Sequence, residues 1–205
     1  MAISEKRPST KYTVGAQYIC FNEDEDWDAA EFESDVTTLP TVVNIQVTDN
    51  ADSYESYASG AVYESDTIVT YKEIAVEQLA FPEDLVAQMR GDTVDTGIIM
   101  SGGIKKRPYF AYGVPIIKKD GTKDMRWYPK CKLAENTDAT ATSTDAHSDQ
   151  TDTLTIRAYG FDADQNQEVK VLTGDENNAR ITEAAFFAAP ILTVAAAKAL
   201  RPTTP

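Results

Sequence analysis

The chain predicts a mainly β fold, a sandwich or barrel with one short flanking α-helix at about 82–90 and long loops. Three observations lead there. Apolar and polar residues alternate with the period of half-buried strands in several segments. Turn residues (Gly, Asp, Asn, Pro) separate those segments, and the clearest helix signal is short.

Residues 106–133 are the stretch around which the chain is organised. Two aromatic-rich arms flank Lys119-Asp120-Gly121-Thr122, and Asp-Gly between such arms predicts a hairpin with a type I′ turn, whose central residues both take positive φ. The first arm places Tyr109, Ala111 and Gly113 on one face and Phe110, Tyr112, Val114 and Ile116 on the other. Alternation in the second arm sends Met125, Trp127, Cys131 and Leu133 to a core, and Arg126, Tyr128, Lys130 and Lys132 away from it. Pro115 and Pro129 lack a ladder donor and are expected at edges or bulges.

Taken in order, residues 1–10 read as an N-terminal arm and 11–192 as a single β-domain. Residues 11–21 form a strand with Tyr12, Val14, Ala16, Tyr18 and Cys20 on one face. Residues 22–35 are an acidic loop. Within it Asp24, Asp26, Asp28 and Asp35 fall at positions 1, 3, 5 and 12 of an EF-hand-like count, a weak calcium candidate. Ala29 stands where the sharp turn wants glycine and no amphipathic helices flank the loop, so a solvated acidic face is the better reading. Residues 36–48 are β-rich, 49–60 a polar connection holding Tyr54 and Tyr57, and 67–79 a long strand.

At Phe81-Pro82-Glu83-Asp84 a helix starts, with proline at its first position, acids in its first turn and Gly91 as its stop. Leu85, Val86 and Met89 are its buried stripe. Residues 97–103 lack the lysine and hydroxyl of a phosphate loop, which leaves a short strand at 98–100 and a turn at Gly102-Gly103. Residues 134–153 hold almost no apolar bulk and read as a long exposed loop that acts in assembly, with Asn136, Thr140, Thr144, His147 and Gln150 as its candidate contacts. Strands at 153–159 and 168–173 are expected to pair as another hairpin. Residues 182–189 are helical, anchored by Phe186 and Phe187, and 193–205 form a C-terminal arm.

Composition limits the function classes. The formal charge is −14, from 33 acidic and 19 basic side chains, which opposes any stable grip on phosphate backbones. No apolar run approaches the length of about 20 residues that a membrane helix needs, and the first residues carry no apolar signal core, so synthesis in the cytosol without a membrane partner is expected. Cys20 and Cys131 read as two reduced, half-buried thiols. One histidine and two distant cysteines make no structural zinc site, no nucleophile has an activating context, and neither catalytic residue nor cofactor is expected.

A family resemblance covers 36–159. It is carried, in order, by Tyr57-Ala58-Ser59-Gly60-Ala61-Val62-Tyr63-Glu64, the strand at 73–79, Phe81-Pro82-Glu83-Asp84-Leu85 leading to Gly91, Arg107-Pro108-Tyr109-Phe110-Ala111-Tyr112-Gly113, Lys118-Lys119-Asp120-Gly121, and Trp127-Tyr128 followed by Lys130. The chain resembles the major tail proteins of long, non-contractile-tailed bacteriophages. The resemblance implies a β-domain of the phage tail-tube type, a non-enzymatic structural virion protein made in the bacterial host cytoplasm. Its copies stack as rings, usually of six, into a hollow tube for genome delivery. The implied partners are other copies, the tape measure and tail terminator proteins, and DNA in passage without specific binding. A capsid-decorating or carbohydrate-binding β-sandwich stays open, with Trp27, Tyr54, Tyr57 and Tyr63 as its sugar platform.

Overall fold

A computed structural model describes residues 7–24, 27, 30–137 and 150–202, and its fold is mainly β. In chain order the strands and helices are β1 (Lys11–Val14), β2 (Gln17–Phe21), β3 (Thr37–Leu39), β4 (Val42–Ala58), β5 (Ala61–Gln78), α1 (Glu83–Arg90), β6 (Thr93–Asp95), β7 (Ile98–Met100), β8 (Phe110–Lys118), β9 (Lys123–Thr137), β10 (Asp152–Ala158), β11 (Val169–Leu172), α2 (Glu183–Phe186) and α3 (Val194–Ala199). All strand pairs are antiparallel. The main sheet runs β3-β2-β8-β9-β10-β5-β4, with β1 extending β2 along β8 and β11 extending β10 along β9. The sheet curls until its two ends meet. Gln17 of β2 donates to the Gln78 side chain at the end of β5, and β1 lies beside β4.

Two cores use the two faces. Inside the curl are Ile19, Phe21, Ile74, Val76, Phe110, Tyr112, Val114, Tyr128, Cys131, Leu133, Leu154 and Ile156, with Leu85 and Met89 of α1 packed on them. Outside it Cys20, Ala111, Met125, Trp127 and Val171 are covered by Ile181, Phe186, Phe187, Ile191 and Ala197 of the C-terminal segment. Phe187 stacks on Tyr18 at 4.0 Å between ring centroids, and Trp127 Nε1 donates to the Phe186 carbonyl at 3.0 Å. Glu183 fastens the layer by accepting from Tyr18 and pairing with Lys123. Burial, and then this bond to Glu183, pushes the Tyr18 phenol up to about 12.

The expected facing of β8 is met, since Phe110, Tyr112 and Val114 point inward and Ala111 outward. That of β9 is corrected. Tyr112 pairs with Tyr128 but Phe110 pairs with Cys131, so β9 carries one extra residue at Pro129-Lys130. Strand phase flips there, which puts Tyr128 inside with Cys131 and Leu133 and sends Met125 and Trp127 to the outer layer. A bulge at Gly15-Ala16 does the same between β1 and β2, so Val14 packs toward the inner core while Tyr18 packs on the outer one. Pro115 lies opposite that bulge and accepts from the Gly15 N–H at 2.9 Å. The β8–β9 turn is also not type I′. Only Gly121 takes positive φ (81°), and its N–H donates to the Lys118 carbonyl, a type I turn closed by a glycine bulge.

Pro82 is the N-cap of α1 rather than its first residue, while Gly91 stops the helix as expected. Gly91 N–H reaches Gln88 O and Asp92 N–H reaches Ala87 O, the two bonds of a Schellman stop. Strand 98–100 is present as β7. The expected 153–173 hairpin is absent. β10 and β11 lie end to end on the same side of β9, and the chain between them loops out and returns, held by Asp162 accepting from Asn166. The second helix covers only Glu183–Phe186, capped by Thr182. Residues 194–199 form α3, and Ala197 and Leu200 pack on the outer core.

Two outcomes follow from this packing. A Cβ on Gly113 would lie 2.8 Å from Phe187 Cε1 and 2.9 Å from Trp127 Cε3, so Gly113→Ala overpacks the outer core and should cost about 1–3 kcal/mol in urea unfolding. An unchanged midpoint would show that the aromatic layer yields freely. Cys20 and Cys131 are free and lie in different cores, which separates them by the thickness of the sheet. Burial, with help from Glu33 and Asp35, pushes the Cys20 thiol from 9.0 up to about 11, and burial raises Cys131 as well. Folded pKa values above unfolded ones mean full stability below pH 9. Above it stability is lost, at up to about 1.4 kcal/mol per pH unit for each thiol. Double Cys20→Ala, Cys131→Ala should flatten that decline between about pH 9 and 11.

Candidate assembly surfaces

The β4–β5 pair is far longer than the sheet that holds it. Only residues 72–78 of β5 pair with β10, so 51–58 and 61–70 stand alone as a two-stranded ribbon. At roughly 3.3 Å per residue it reaches about 26 Å beyond its root. The sequence reading of 49–60 as a polar connection is thereby corrected. Ser59 and Gly60 both take positive φ (54° and 80°), so the type I′ turn expected at Asp120-Gly121 occurs here instead.

Beyond its root, where residues 164–168 lie beside residues 67–69, nothing in the described chain covers the ribbon. Tyr54, Tyr57, Val62, Tyr63 and Ile68 are all exposed, Tyr63 by 80%. Its internal ties are light: Ser53 and Thr67 share a hydrogen bond at 3.2 Å and Tyr57 donates to Glu55 at 2.6 Å. The latter bond holds the Tyr57 phenol above its ordinary value. Two-stranded ribbons are marginal in water on their own. At the root the Gln167 side chain donates to the Val69 carbonyl.

A second exposed element follows α1. β6 and β7 form a small hairpin whose turn residues Thr96 and Gly97 both have positive φ, and it projects Ile98 (67% exposed), Ile99 and Met100. Ile104 beyond it is exposed as well. The strand follows from the sequence, and the signal for its exposure is three consecutive apolar residues between Gly97 and Gly102.

Of the candidate contacts in the 134–153 loop, Asn136 lies in β9 opposite Leu154, so the loop is shorter than expected; Gln150 is exposed. Thr140, Thr144 and His147 lie outside the described residues. Of the calcium candidates, Asp26 and Asp28 also lie outside them. Asp24 accepts at its carbonyl from Asn22 and Trp27, and among the described residues no three His, Cys, Asp or Glu gather as a metal site. No helix among the described residues is long and apolar enough to cross a membrane.

No protein-family model and no curated protein matches this chain. Among solved structures it is similar to a chain of the anti-feeding prophage tube-terminating cap, at 8% identity and a TM-score of 0.47, covering 84% of this chain and 96% of that one. It is also similar to a chain of the anti-feeding prophage baseplate, 6-fold symmetrised, at 7% identity and a TM-score of 0.44, covering 82% and 97%. A third similar chain belongs to the sheath-tube complex of an extracellular contractile injection system, PVC, in its extended state, at 6% identity and a TM-score of 0.39, covering 76% and 88%.

Proposed function

We propose that the chain is a structural subunit of a phage-type tail tube, assembled as stacked rings of copies into a hollow conduit for DNA. The observation that carries this reading is the uncovered β4–β5 ribbon. A free-standing ribbon with exposed tyrosines and two unpaired edges gains stability only against another surface, and identical copies supply one. The family resemblance over 36–159 supplies the kind of assembly: hexameric rings in a long, non-contractile virion tail, with the tape measure and tail terminator as further partners. The charge of −14 agrees with it, because a conduit that repels phosphates lets DNA pass without holding it.

The 134–153 segment, with Asn136 and Gln150 flanking its residues 138–149, takes the contact between stacked rings in this reading. The β9–β10 ladder already closes at Thr137 and Thr153, so the domain does not depend on what joins them. A Gly-Ser linker in place of 138–149 should leave circular dichroism unchanged and abolish tubes in negative-stain micrographs. Tubes of normal length from that variant would sink the assignment.

The ribbon itself is tested by shortening. Joining Asn50 to Tyr71 through Asn-Gly should give a folded protein that sediments as a monomer, while the full chain at high concentration gives rings or polymers. A full chain that stays monomeric in all salt conditions overturns the tube reading.

A further inference from the structure

We propose that the outer sheet face formed by Tyr109, Lys130, Lys132 and Arg157 is the seat for the β4–β5 ribbon of a second copy, an inference that rests on the assembly reading above and names its contact. The C-terminal layer covers only the part of this face around Ala111, Met125 and Trp127. Past the Pro129 bulge, the inward side chains of β9 are Cys131 and Leu133, which turns Lys130 and Lys132 outward. Aromatic rings hold the two ammonium groups in place. Lys132 Nζ lies 3.9 Å from the Tyr109 ring centroid, and Lys130 Nζ lies 5.4 Å from the rings of both Tyr109 and Trp27. Arg157 lies 4.9 Å from the Tyr71 ring, with Glu73 at 3.6 Å as its acid partner. Among the described residues neither lysine is in an ion pair. Beside them a pocket of about 290 Å³ opens between Tyr109, Tyr159, Thr70 and Gln165.

In a chain this acidic, such a patch calls for an acidic, aromatic partner, and the ribbon is one. Residues 50–71 contain Asp52, Glu55, Glu64 and Asp66 and no basic side chain. Register sorts them by face. Asp52 pairs with Ile68, Tyr54 with Asp66 and Ser56 with Glu64, so three carboxylates share one face with Tyr54 and Ile68. Glu55 lies on the other face, with Tyr57. The chain's own ribbon cannot supply this contact, because Thr70 and Tyr71 at its root border the patch while its acids point away along about 26 Å of strand. The occupant is therefore the next copy's ribbon. Ribbon on root is a head-to-tail contact, the type that closes into rings or continues as a helix. Carboxylates facing ring-held ammonium groups supply its orientation and partner choice.

Charge reversal tests the pairing. Lys130→Glu with Lys132→Glu, and separately Glu64→Lys with Asp66→Lys, should each weaken association about tenfold or more in sedimentation, with circular dichroism unchanged. All four changes in one chain should restore it, and so should mixing the two double variants, since each offers the other a matching ribbon and seat. If Lys130→Glu, Lys132→Glu assembles like the parent chain, the seat is elsewhere and only this inference falls. If those substitutions spare assembly but abolish retention of a DNA oligonucleotide, the patch is a nucleic-acid contact and the inference is overturned. A parent chain that never associates instead overturns the assembly reading itself.

Discussion

One extra residue in β9 decides how the two faces of the sheet are used. β9 has partners along both sides, β8 on one and β10 with β11 on the other, and it runs through both cores. Without the bulge at Pro129-Lys130, strict alternation would leave Met125, Trp127, Cys131 and Leu133 on one face, and the inner core would lose either its lower or its upper half. With it, the lower half of β9 sends Trp127 outward to Phe186 and Phe187, and the upper half sends Cys131 and Leu133 inward. Proline suits this position because it has no N–H to offer a ladder, and a bulge is where a ladder bond is already missing. The C-terminal layer consequently has apolar ground only along the lower half, and lysines occupy the rest.

Much of this was legible in residues and some of it was not, for identifiable reasons. The facing of β8 and the stop of α1 at Gly91 could be read because a half-buried strand alternates and a Schellman stop needs positive φ. Bulges could not. A single inserted residue leaves the pattern intact on either side and reverses only its phase, so Tyr128 was assigned to the wrong face. The relation of β10 to β11 failed differently: turn residues at 162–167 mark a change of direction without saying whether the chain reverses beside itself or loops out and rejoins the same neighbour.

The ribbon was the largest miss, and burial explains it. Alternation is a signature of one wet and one dry face, and residues 51–58 have two wet faces in the subunit, so the segment looked like a polar connection. Of the candidate site residues, those inside 138–149 lie outside the described chain, while the lysines of β9 are read in the sequence only as facing away from a core and the acids of the ribbon carry no assembly role there. Each set is unremarkable alone. They become informative once the fold shows one spread along a projecting element and the other on the part of the outer face that the C-terminal layer leaves free.

That separation also bears on how a subunit with free strand edges avoids pairing wrongly. Two ribbons laid edge to edge would bring together eight carboxylates and no cation, counting Asp52, Glu55, Glu64 and Asp66 from each copy. Like charges at such spacing are repulsive and screened only over about 8–10 Å at ordinary ionic strength, so the symmetric contact that an exposed edge most readily makes is disfavoured. In the proposed contact the same acids are attracted to Lys130 and Lys132, which are half-buried against aromatic rings and have no ion-pair partner among the described residues. In the proposed assembly, repulsion between like ribbons and attraction between a ribbon and the lysines of the next copy together select a head-to-tail arrangement over an isologous dimer. In that assembly the ribbon's charge does two things at once: it keeps free subunits apart and gives growth a direction.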